Sequence, residues 1–326
     1  MKAICLKIIF MLLLPLSCLA QRTYVGSVVD KNTKEPLAYV TITLIKENIV
    51  TGTDTTGAFR LISRKIIRDD SIAFTSVGYI TVKIAASALV KSRVIMMQQD
   101  EVILNEVKIT SKEVKRKEIK LGSFSVYDPG FGASPIYYSN YVQAARKFIS
   151  PNNTSWLRSV RVARLIRFPI DDPVEGYYNY RNGRTRFRIR IYAVDPVTGG
   201  PGKSICRDTI ELQNNRNTFI EIDLTKNNIR ITEKDFFIAV EWLMIPYNET
   251  ISTWYVDFAE EVKGRKDGYA EYTLEYDPVL YGVKPRTKDK LPTTWLLEAH
   301  DGKWTSAVEL QYNADAAISA VIAVEK

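Results

Sequence analysis

The stretch RTRFRIRIY, Arg184 to Tyr192, places an arginine at every second position. In an extended strand alternate side chains share a face. Arg184, Arg186, Arg188 and Arg190 then line one side, and Thr185, Phe187, Ile189 and Ile191 the other. The same period of two recurs along the chain. In AYVTITLI, Val40, Ile42 and Leu44 alternate with Thr41 and Thr43. In FIEIDLT, Glu221 and Asp223 oppose Ile220, Ile222 and Leu224. In YAEYTLEYD, Glu271, Glu275 and Asp277 oppose Tyr272, Leu274 and Tyr276. Gly, Asp and Asn turns separate these runs, and no amphipathic helix intervenes, which predicts an all-β protein.

The 326 residues are 46% hydrophobic and 25% charged, enough for one large or two modest cores. Lys+Arg 45 stand against Asp+Glu 37. That excess is too modest to mark a nucleic-acid binder, and no nucleic-acid partner is expected. Lys2 and Lys7 flank the start of an apolar run, Ile8 to Leu19, and Cys18-Leu19-Ala20 leads into Gln21. This pattern predicts a signal peptide over residues 1–20, cut after Ala20, and hence export across the inner membrane. Lipidation at Cys18 is the alternative, against which Pro15-Leu16-Ser17 makes a poor lipobox. After cleavage only Cys206 remains, so no intrachain disulfide is expected, and Cys206 reads as a small core residue.

Residues 22–100 read as a first sandwich. Gly26-Ser27-Val28-Val29-Asp30, Glu35-Pro36-Leu37-Ala38-Tyr39-Val40, Gly52-Thr53-Asp54-Thr55-Thr56-Gly57-Ala58-Phe59 and Ser76-Val77-Gly78-Tyr79 recur at characteristic spacing. Together they resemble the carboxypeptidase-regulatory-like domain, which implies a transthyretin-like, seven-stranded sandwich without peptidase residues, serving as an accessory module. Asp54 departs from that pattern, one position before the usual acid. The resemblance extends to the N-terminal extension of TonB-dependent outer-membrane receptors of Gram-negative envelopes, and the strand VILNEVKIT resembles the segment next to that extension in those receptors. That implies a periplasmic, outer-membrane or cell-surface address and an envelope protein as partner. Plug and barrel are not expected in the rest of the chain, which is too short for them. Gly57 and Gly78 are expected in tight turns with positive φ.

Residues 101–120 read as that strand and a charged, solvated linker, SKEVKRKEIK. Residues 121–326 read as a second, jelly-roll-like sandwich. Strands are expected near 157–168, 184–194, 205–212, 218–224, 235–244, 252–258, 269–276, 293–298, 304–310 and 316–324, and 137–149 leans to strand.

Neighbouring arginines on one strand face lie ~7 Å apart and repel by roughly 0.6 kcal/mol per pair in water. The comb is therefore expected to be a solvated face opposite the acidic combs of FIEIDLT and YAEYTLEYD on adjacent strands. Such pairs fix register more than stability. The alternative is a surface glycan or anion site. It would use Arg184, Arg186, Arg188 and Arg190, joined by Arg158, Arg161, Arg164 and Arg167 if the basic strands adjoin, or aromatic platforms at Trp254 and Trp304.

Catalytic motifs are weak. GGPGKS, Gly199 to Ser204, lacks the first glycine of a phosphate loop and links strands. His300 is the only histidine, beside an Asp301-Gly302 turn. Asp69-Asp70 and Asp171-Asp172 fall in turns, where carboxylates cap backbone N–H groups. No metal, cofactor or catalytic residue is assigned. The expectation is a non-enzymatic accessory or assembly protein, with a glycan- or anion-binding protein and an uncharacterised hydrolase as alternatives.

Overall fold

The structure is a computed structural model that describes residues 22–63, 69–100, 116–128, 131, 141–166, 177–178, 184–206, 210–215, 217–257, 268–286 and 290–325. The leader with Cys18, the VILNEVKIT strand, Arg167 and Asp171-Asp172 lie outside the described residues. The all-β architecture read from the alternation is the observed one.

The first sandwich contains β1 (Arg22–Asp30), β2 (Thr41–Leu44), β3 (Ile49–Gly52), β4 (Ala58–Ser63), β5 (Ser71–Thr75), β6 (Val82–Ala85) and β7 (Val94–Met97). They form a three-stranded sheet, β4-β1-β7, and a four-stranded sheet, β3-β2-β5-β6. Val28, Ile42, Leu44, Leu61, Phe74 and Met97 fill the space between, each at most 1% exposed. Burial of such side chains stabilises by roughly 1.5–3 kcal/mol apiece.

Two carboxylates fix its turns. Asp30 Oδ1 accepts from the backbone N–H of Asn32 (2.7 Å) and Thr33 (2.9 Å), while Oδ2 accepts from Tyr79 Oη and Gln99 Nε2 (both 3.0 Å). Asp54 Oδ1 accepts from Thr56 N, Thr56 Oγ1 and Ala58 N, so its early position still caps the turn. Gly57 (φ +75) and Gly78 (φ +81) adopt the left-handed backbone expected of them.

The second sandwich begins with β8 (Arg116–Leu121), β9 (Tyr141–Ile149), β10 (Ser155–Leu165), β11 (Tyr177–Tyr178), β12 (Arg184–Val194) and β13 (Pro201–Ser204). Next come β14 (Ile210–Asn215), β15 (Phe219–Asp223), β16 (Arg230–Ile231), β17 (Asp235–Trp242), β18 (Glu249–Asp257) and β19 (Gly268–Tyr276). It ends with β20 (Val279–Leu280), β21 (Gly282–Val283), β22 (Thr294–Glu298), β23 (Trp304–Ser306), β24 (Asp315–Ala316) and β25 (Ile318–Glu325).

A seven-stranded sheet runs β13-β12-β17-β9-β22-β23, with β14 paired to β12. A six-stranded sheet runs β15-β10-β25-β8, with β16 and β20 paired to β10. Phe187, Ile189 and Ile191 from the first sheet meet Val160, Val162 and Ile322 from the second in a common core. β18 and β19 sit in a separate three-stranded sheet with β11.

Two expectations need correction. Arg116–Leu121 is an edge strand antiparallel to β25, because Ile119 and Leu121 carry the period of two onto the core while Glu118 and Lys120 face outward. Of the strand expected at 205–212, only residues 210–212 fall in a strand, β14, while Ile205 and Cys206 follow β13 outside any strand and 207–209 lie outside the described residues.

The sandwiches meet through sheet faces that alternation alone marks as polar. Thr43, fully buried, donates its hydroxyl to the carbonyl of Ala299 (3.3 Å), as does Thr75 (3.4 Å). Tyr276 Oη donates to the carbonyl of Val50 (3.2 Å). Tyr39 joins Leu243 and Ile245 in an apolar cluster. A Cβ at Gly52 would stand 2.7 Å from the carbonyl oxygen of Met244.

Candidate functional site

The arginine comb lies on the outer face of the seven-stranded sheet, and that face is covered. Arg188 and Arg190 are each 7% exposed. Registry places Arg188 opposite Glu211 on β14 and Glu241 on β17. Arg190 Nε sits 2.6 Å from Glu241 Oε2, Arg188 Nη1 3.9 Å from Glu241 Oε1, and Arg188 Nε 3.5 Å from Glu211 Oε2. Arg186 Nε reaches Glu211 Oε1 at 3.6 Å.

The lid is the first sandwich. Arg186 Nη1 donates to Tyr39 Oη (3.0 Å), and the Arg188 guanidinium lies 4.8 Å from the centre of the Tyr39 ring. Burial works against the Arg190 charge, but Glu241 beside it outweighs that and holds the guanidinium above its ordinary pKa. Burial, reinforced by Glu241, pushes the Tyr192 hydroxyl up, and it donates to Gln143 Oε1 (2.8 Å). Arg188 and Arg190 are therefore buried, and Arg186 half-buried, in a charge network beside the joint rather than on a solvated face.

Its acids also differ from those expected. Glu221 lies on β15 opposite Arg161 of β10, at 3.6 Å, in the six-stranded sheet. Glu271 and Glu275 lie on β19, paired with β18. β10 and β12 occupy opposite sheets, so the two basic strands form no common patch. Arg164 is fully buried.

Arg184 begins β12 opposite Asn215. Trp304 packs edge-on against Tyr192, ring centres 5.7 Å apart, on the same face as the comb. Trp254 belongs to β18 in the separate three-stranded sheet. Gly199–Ser204 turns from β12 into β13, with Gly200 against the Trp295 ring. Glu298, His300 and Asp301 bring ligand-type atoms within 4.8 Å of one another. Hairpin hydrogen bonds already occupy both carboxylates, from Thr305 Oγ1 to Glu298 and from Lys303 N to Asp301.

The outer face of the six-stranded sheet is different. Ser159, Arg161 and Ala163 of β10 stand beside Val321, Ser319 and Ala317, leaving a floor of small side chains. Above it, Phe124, Phe131, Phe219 and Tyr281 form an aromatic wall, with ring centres 4.7 to 6.4 Å apart along it. Arg161 lies over Phe219 (4.5 Å) and Phe124 (5.4 Å).

Two hollows of about 250 Å³ each share Ser123 and Phe124; one opens on this face, and the other also takes Arg146 from β9 of the seven-stranded sheet. One is lined by Asp128, Arg146, Lys284 and Arg286, the other by Lys120, Ser159, Arg161, Glu221 and Ser319. Arg146 is anchored by the carbonyls of Gly122, Ala316 and Ile318 and by Asp315 at 3.8 Å. Burial lowers its pKa, against the pull of Asp315. This face escaped sequence reasoning because its residues come from β8, β10, β15, β25 and two loops. Along the chain, only charge rows confined to one strand, such as that of β12, stand out.

Fold and site define a β protein with a sealed joint between two sandwiches and a grooved, polar outer sheet face. Within it, residues 24–109 match the CarboxypepD_reg-like domain, a regulatory, non-catalytic domain type. No curated protein matches the chain.

Proposed function

We propose that this chain is a non-enzymatic envelope protein, exported by its leader, whose first sandwich is an accessory module fixed on the second. The second sandwich then presents the binding face, on its six-stranded sheet. The observation that carries this reading is the fate of the comb. Arg186, Arg188 and Arg190 are tied to Glu211 and Glu241, and Tyr39 of the first sandwich lies on Arg186 and Arg188, which supports reading the joint as a permanent feature rather than a ligand site. Desolvating those charges costs several kcal/mol each, offset only while all partners are in place. The regulatory, non-catalytic type of the matched domain supports the same reading.

Fractionation tests it. The protein is expected in the envelope fraction with Gln21 as its first residue; full-length protein retained in the cytoplasm would contradict export. A panel of chromogenic ester, peptide and glycoside substrates tests the absence of catalysis. Turnover abolished by Glu221→Gln or Asp128→Asn would make the grooved face an active site.

A further inference from the structure

We infer that the paired hollows bind an acidic oligosaccharide carrying one carboxylate per sugar ring, a polyuronate chain. The inference rests on the reading that the six-stranded sheet presents the binding face. Charge makes the first argument. In one hollow Arg146, Lys284 and Arg286 face Asp128, and Asp315 stands behind Arg146, leaving one positive charge in excess. In the other Lys120 and Arg161 face Glu221, again leaving one. A carboxylate carries one negative charge, whereas a phosphate monoester carries ≈ −1.5 to −2 at pH 7. Each hollow therefore suits a singly charged group such as a carboxylate better than a phosphate monoester.

Geometry makes the second. The hollows are similar in volume and adjoin, with Ser123 and Phe124 in both linings, as two successive units of one chain require. A third argument is the chemistry of the lining. Ser123, Ser159 and Ser319 offer hydroxyls that can both donate and accept, the complement of sugar hydroxyls. Arg161, whose side chain is 37% exposed and 3.6 Å from Glu221 Oε1, is the cation that an incoming carboxylate would meet in this hollow.

Calorimetric titration of the full mature chain with hexagalacturonate tests this, beside maltohexaose, a hexaglutamate peptide and inorganic phosphate. Hexagalacturonate is expected to bind at least tenfold more tightly than the other three, and more weakly as salt rises. The double variant Lys284→Ala, Arg286→Ala should weaken it roughly tenfold or more, as should Ser319→Trp, which fills the floor, with melting temperatures unchanged. Lys284 and Arg286 are both solvent-exposed, and the one ion pair lost with them, Arg286 to Asp128 at 2.7 Å, is a surface pair of small expected weight. Equal or tighter binding of hexaglutamate or phosphate overturns the saccharide assignment. Binding unaffected by either variant overturns the site. No binding by a protein that is still exported to the envelope overturns this inference and leaves the reading of the whole chain standing.

Discussion

Asp30 shows how one side chain can hold three parts of a sandwich. Its two oxygens tie the turn after β1 to Tyr79 and Gln99, which share its end of the sandwich. Hydrogen bonds, first that from Thr33, favour the ionised form and hold its pKa below the usual carboxylate value, despite opposition from burial. A depressed folded-state pKa means the stabilisation is complete above the unfolded value of about 3.9 and is lost as pH falls through the folded value. Asp30→Asn is therefore expected to destabilise the fold at pH 7 and to flatten the acid limb below about pH 4, read by urea denaturation across pH. A variant with an unchanged acid limb would remove Asp30 from the account. Gly57 belongs to the same scale. At φ +75, with Val28 O only 2.6 Å from an added Cβ, Gly57→Ala should cost more than about 1 kcal/mol by the same measurement. Both roles were legible in the sequence, because turns are local and their glycines and acids sit at fixed offsets. Asp30's bond to Tyr79 was not, since spacing does not reveal which end of a sandwich two turns share.

At the scale of elements, β12 was placed correctly and its surroundings were not. A period of two fixes which residues share a face, and Phe187, Ile189 and Ile191 do enter the core. It does not fix the neighbours, which come from Glu211 and Glu241, far along the chain. Nor does it tell a wet polar face from a polar face under another sheet. β8 taught the converse: a run dense in Lys, Arg and Glu still makes an edge strand when Ile119 and Leu121 fall on the inner side. The charge network of β12 predicts an asymmetry. Glu241→Ala leaves both Arg188 and Arg190 without their shared carboxylate, whereas Arg190→Ala leaves Glu241 still near Arg188. Breaking a buried pair costs about 3–5 kcal/mol. Glu241→Ala should fall at or above the top of that range and Arg190→Ala below it, in guanidinium unfolding curves. The reverse order would mean that Glu241, not the arginines, is the strained member.

For the whole molecule the decisive question is whether two sandwiches unfold as one. Their contact combines the Arg186–Tyr39 bond, the threonine bonds to Ala299, the Tyr276–Val50 bond and the cluster of Tyr39, Leu243 and Ile245. Separation would uncover Arg188 beneath Tyr39 and break apolar contacts at the same time, so each unit stabilises the other. Tandem domains on a flexible tether would melt independently. The sequence did reveal two sandwich-forming stretches, but Thr41 and Thr43 alternate with core residues just as a solvated face would, and only the fold shows that face to be shut. Gly52 offers a way to pry it open. Its missing Cβ is what lets Met244 O approach, so Gly52→Leu forces the faces apart without touching any charge. The parent chain is expected to show one calorimetric transition. The variant should show two, the lower one belonging to the first sandwich, together with a larger radius of gyration by small-angle scattering. A variant that keeps one transition and its radius would mean that the joint tolerates a wedge, and that the buried arginines lock the second sandwich alone.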